Sequence, residues 1–146
     1  MPGGPMPLGF AYFAGVKLAG YSTYAALLNR QEFLAQSPCS KPSAWKAGIV
    51  RTGIGVAVGT AVGVGFWKLV PPEGWAARHG DILFISGLVP VRILEWYFFL
   101  RLLYRKCDLS TRSKAFIVAL GIVASFLLDA VGVLAMFVLP GGAWIC

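Results

Sequence analysis

The sequence predicts an all-α integral membrane protein, a four-transmembrane-helix bundle with both termini outside. Three observations carry that expectation. The 146 residues are 58% hydrophobic and only 13% charged, whereas a soluble domain usually has about 45–50% apolar and roughly 25% charged residues. Four runs are long enough to cross a hydrocarbon core of roughly 30 Å, which takes about 20 mainly apolar residues in a helix. These runs lack the steady alternation of a membrane strand, and backbone groups in lipid must then be satisfied within helices.

The expected spans are 8–28, 47–69, 82–104 and 115–139 of a single domain covering 1–146. MPGGPMPLGF has no positively charged n-region and reads as a short tail before the first span, not as a cleaved signal. Pro71-Pro72 is expected to end the second span. Asp81 stands where an N-cap would open the third, and Ser110 or Ser113 where one would open the fourth. Pro140-Gly141-Gly142 is expected to stop the fourth.

Loop charge sets the expected orientation. Arg30, Lys41, Lys46, Arg105, Lys106, Arg112 and Lys114 border the first and third loops, against Lys68 and Arg78 at the second. The positive-inside rule directs loops 30–46 and 105–114 to the cytoplasm and loop 70–81 and both termini outside, as in a cell inner membrane. Trp67, Trp75 and Trp144 would mark the outer interface, Trp45 and Tyr104 the inner one. Cys39 and Cys107 would then face a reducing compartment and stay thiols.

The net charge of +7 does not indicate nucleic acid. The basic residues border apolar runs and form no stripe with interleaved aromatics, so they are expected to meet anionic membrane lipids. None of the three cysteines forms a CxxC pair, which argues against a thiol–disulfide oxidoreductase. A single histidine, His79, supplies neither a bis-histidine haem nor a histidine-rich metal site; no cofactor and no metal are expected. In its loop, His79 is expected to be solvated.

Close packing of helices in lipid depends on small residues. Gly55, Gly59 and Gly63 form a GxxxGxxxG ridge on the second span, expected to serve packing within the bundle or a homo-oligomer seam. On the first span Ala11, Gly15, Ala19, Ser22 and Ala26 share one side, with Lys17, Tyr21 and Tyr24 roughly opposite.

The most informative residues are charges inside the spans. Each costs about 2.5–3.5 kcal/mol at the bilayer centre on insertion scales, so such groups face a bundle interior and pair with one another. Lys17, Arg92 and Asp129 fall about 14–15 Å from the outer end of their spans, and Glu95 about one turn deeper. Arg92 and Glu95 are three apart and share a helix face. Pro90, just before them, is expected to kink the helix and open space beside the pair. Ser125 shares a face with Asp129. The expected polar interior is Lys17, Tyr21, Arg92, Glu95, Ser125 and Asp129. Arg51 and Arg101, nearer span ends, are expected to snorkel to the interface.

In this interior Glu95 and Asp129 are the candidate acid or base, and Lys17, Tyr21, Arg92 and Ser125 the candidate ligand-binding groups. The expected function is binding or processing of a lipid-like or anionic amphiphilic ligand. Two alternatives fit the same residues. One is a small proton-coupled transporter using an embedded carboxylate; the other is a non-catalytic subunit or assembly factor of a larger membrane complex.

Overall fold

The computed structural model describes residues 7–31, 39–69 and 79–134. Among them the chain is all-helical: α1 (Pro7–Asn29), α2 (Ala44–Leu69), α3 (Gly80–Leu103) and α4 (Thr111–Leu134), with no strand. α1 packs on α2 and α4, and α3 packs on α4 and α2, which closes a ring of four. Pro71-Pro72, Trp75, Arg78, Pro140-Gly141-Gly142 and Trp144 lie outside the described residues, as does the Trp67 side chain.

Serines set two of the helix starts. The Ser43 Oγ accepts the Lys46 N–H at 3.3 Å and the Ser110 Oγ accepts the Ser113 N–H at 3.1 Å. Each satisfies a donor that the first helical turn leaves open. α2 and α4 therefore begin at Ala44 and Thr111, a turn ahead of their apolar runs, and Lys46, Arg112 and Lys114 are helical. Asp81 is not a cap: His79 holds the N-cap position of α3, without a side-chain cap bond, and Asp81 lies in the first turn.

Among the described residues two stretches, Ala44–Gly65 and Thr111–Gly132, are long and apolar enough to span a membrane. Only 22% and 28% of their apolar windows are buried, whereas an amphipathic helix on a soluble core hides its apolar stripe. Apolar side chains on every helix point outward: Leu27, Ile49, Leu94 and Leu127 are 50–67% exposed. Lys17, Arg51, Arg92, Glu95 and Asp129 are buried instead. The distribution is inverted relative to a water-soluble bundle, which rarely exposes large contiguous apolar surface.

Two glycines permit the close approaches. A Cβ at Gly48 would collide with the Ser22 hydroxyl and crowd the Leu18 carbonyl on α1, so α1 and α2 meet there backbone to backbone. A Cβ at Gly121 would enter the Trp96 indole; its absence lets the ring lie flush on α4. The expected ridge divides. Gly55 is buried against the Arg51 and Arg92 guanidinium groups, Gly59 is half-buried, and Gly63 has open space around its Cβ position.

At the end carrying the α1–α2 and α3–α4 connections, Cys39 and Cys107 are joined in a disulfide across a Cα–Cα distance of 5.0 Å. The expectation of two thiols is thereby corrected: it followed from the compartment that loop charge implied, and charge carries no information on how near two loops come. Asn29 braces the same region. Its Nδ2 donates to the Pro42 carbonyl at 3.0 Å, and its Oδ1 accepts from the Tyr104 hydroxyl at 3.1 Å. The Lys41 ammonium donates to the Asn29 carbonyl at 3.3 Å.

Candidate functional site

The buried charges form one continuous cluster drawn from all four helices. Asp129 on α4 forms an ion pair with Lys17 on α1, Oδ1 lying 2.6 Å from Nζ, and accepts from Arg92 on α3 at 2.8 Å through Oδ2. Arg92 also donates to Glu95 Oε2, one turn along its own helix, at 2.9 Å. The same Glu95 oxygen accepts from Arg51 on α2 at 2.7 Å. The chain of pairs thus runs Lys17–Asp129–Arg92–Glu95–Arg51, alternating in sign at every step. In a low-dielectric interior this alternation offsets the desolvation of each ion, which alone costs several kcal/mol.

A second, uncharged network meets the first at Ser125. Its hydroxyl accepts from the Tyr21 hydroxyl at 3.1 Å and from the Trp96 indole N–H at 3.0 Å, and donates to the Gly121 carbonyl at 2.9 Å. It also accepts from Arg51 Nη2 on α2 at 3.4 Å, so one small hydroxyl ties all four helices together, using both its donor and its acceptor capacity. The Arg51 guanidinium lies 4.9 Å from the Tyr21 ring centroid and 4.7 Å from that of Trp96. Both distances suit cation–π attraction, which strengthens where water is excluded. Lys17 makes a similar contact, with Nζ 4.4 Å from the Phe13 ring centroid.

All six residues of the expected interior, Lys17, Tyr21, Arg92, Glu95, Ser125 and Asp129, are buried and lie in these two networks. Three further placements bear on the site. Arg51 does not snorkel: it is 0% exposed and bonds Glu95. The sequence signal that points to it is Glu95, which lies a turn closer than Arg92 to the end from which Arg51 enters. Trp96 is the largest fully buried side chain among the described residues, and no sequence signal points to it, since an aromatic next to a carboxylate has no diagnostic spacing. Pro90 lies within an uninterrupted α3, on its exposed side. Arg101 is exposed at the end of α3, as expected.

No family model, curated protein or solved structure matches the chain. The chemistry of the cluster therefore rests on its geometry.

Counting formal charges, Lys17, Arg51 and Arg92 meet Glu95 and Asp129, three cations against two carboxylates. Nε and Nη1 of Arg51 are buried donors with no hydrogen-bond partner, and Nη1 faces the bare backbone at Gly55. Beside this centre, between α2 and α3, a cavity of about 310 Å³ is walled by Ile54, Val58, Val62, Val91, Leu94 and Phe98 together with Glu95. Among the described residues Glu95 is its only polar lining residue.

Proposed function

We propose that this chain is a four-span membrane protein whose buried cluster receives the anionic head of a lipid-like ligand. Burial of every cluster charge, with apolar side chains outward on all four helices, supports four spans. The observation that carries the ligand reading is the pair of buried Arg51 donors, Nε and Nη1, that lack a hydrogen-bond partner beside an apolar groove. A buried donor without a partner is costly, and a carboxylate head placed by Arg51 satisfies it through the two donors that Glu95 leaves unused. The groove residues Ile54, Val58 and Val62 follow one face of α2 over about 12 Å and supply the surface for an acyl chain.

Binding of isotope-labelled laurate to the chain in lipid nanodiscs tests this. Saturable binding by laurate, not by dodecanol, is expected, and Val58→Trp, which fills the groove without touching an ion pair, is expected to abolish it. Equal binding of acid and alcohol, or binding unaffected by Val58→Trp, contradicts the proposal.

Proton-coupled transport fits less well, because protonating Glu95 gives up its pairs with both Arg51 and Arg92. A role as a subunit of a larger membrane complex draws on the open space at Gly63 and the exposed Ala11, Gly15 and Ala19 of α1, surfaces suited to a partner helix or a second copy.

For orientation, the disulfide outweighs loop charge. Cys39 and Cys107 belong to the two basic connections, and disulfides persist in oxidising compartments. We place this end of the bundle on the oxidising side, the reverse of the orientation that the lysine and arginine bias favours.

A further inference from the structure

The end of the bundle that carries the disulfide holds a second cavity, distinct from the charge cluster. It has a volume of about 270 Å³ between the end of α3 and the start of α4. Arg101, Arg105 and Lys114 line it, with no carboxylate among the described residues of its walls. Tyr97, Leu100 and Leu109 provide apolar surface, and Cys107 fixes one wall through its bridge to Cys39.

Several features of the site favour a phosphate. Arg101 in the last turn of α3 and Arg105 in the turn just beyond its end both line the cavity. Lys114 stands in the first turn of α4, whose N-terminal end carries the positive pole of the helix dipole. Guanidinium forks suit phosphate geometry. The apolar exposed surface begins immediately beside the cavity, at Leu102 on α3 and Phe116 on α4, which are 55% and 52% exposed. A molecule with its phosphate in this cavity would lay its tails along those side chains.

We infer that this cavity binds the phosphate headgroup of an anionic membrane lipid at the bilayer surface. Basic pockets between helices at a membrane surface recognise such headgroups. The site also accounts for a concentration of arginine and lysine on an oxidising side: these residues meet lipid phosphate instead of setting orientation. It is independent of the acyl groove at Glu95, which opens between α2 and α3.

The test uses the full chain, delipidated in neutral detergent, titrated with dioleoyl phosphatidylglycerol or dioleoyl phosphatidylcholine and read by native mass spectrometry. One tightly held phosphatidylglycerol is expected. Replacing all three basic residues (Arg101→Gln, Arg105→Gln and Lys114→Gln) should weaken it by on the order of a hundredfold, each charge near the surface contributing roughly five- to tenfold. All three side chains are exposed, so helicity by circular dichroism should be unchanged. Removing three charges elsewhere at the same end (Arg30→Gln, Lys46→Gln and Arg112→Gln) should leave binding within a few-fold. An equal loss in that control, or equal affinity for phosphatidylcholine, overturns the site. Displacement of phosphatidylglycerol by millimolar inorganic phosphate overturns the lipid as its source and assigns the cavity to a soluble phosphate compound.

Discussion

Arg51 and Glu95, on neighbouring helices, meet at 2.7 Å with both side chains almost wholly removed from the surface. Their pair joins α2 to a charge cluster that otherwise belongs to α1, α3 and α4. Glu95 accepts from Arg92 through the same oxygen, so α2 and α3 share one carboxylate.

Arg51→Gln is expected to destabilise the bundle strongly. Breaking a buried pair by removing one partner costs about 3–5 kcal/mol, because the remaining charge stays buried. Unfolding in mixed micelles measures this, with Arg101→Gln, an exposed position, as a reference expected within about 0.5 kcal/mol of the parent.

Ser125→Ala leaves the Tyr21 hydroxyl and the Trp96 indole N–H without their shared acceptor. Each orphaned buried group costs about 1–3 kcal/mol. Ser125→Thr keeps the hydroxyl and should retain more stability. Equal stability of the alanine variant and the parent would show that the hydroxyl network is unimportant.

Gly121→Ala is expected to displace the Trp96 ring, which occupies the position of the new methyl group. Overpacking of this kind typically costs about 1–3 kcal/mol. Trp96 fluorescence should change alongside stability, whereas Gly53→Ala, where nothing lies near the added carbon, should change neither.

Cys39→Ser or Cys107→Ser removes the bridge between the two connections, with an expected loss of about 2–4 kcal/mol. In intact cells, a membrane-impermeant maleimide should label a cysteine introduced by Lys106→Cys into the Cys39→Ser, Cys107→Ser background. Labelling only after lysis would return the basic loops to the cytoplasm.

Much of this architecture was legible in the residues. Lys17, Arg92, Glu95 and Asp129 stand inside apolar runs where no exposed charge is tolerated, and helical rise alone gave three of them a common depth. They meet as that arithmetic implies. Arg51 was misjudged because depth was counted from its backbone near the start of the apolar run, while the long side chain reaches inward to Glu95. The same reach that permits snorkelling permits burial, and only the position of an opposite charge decides between them. The Cys39–Cys107 bridge was hidden for another reason: loop residues have no periodicity, so their proximity depends on how four helices pack.

Oxygen and nickel-chelate accessibility of spin labels placed one per helix at Leu27, Ile49, Leu94 and Leu127, all outward-facing, tests the inside-out bundle most directly. In liposomes all four should be readily relaxed by oxygen and protected from the chelate, as acyl-chain exposure requires. High chelate accessibility across these positions would place the apolar faces in water and contradict the account.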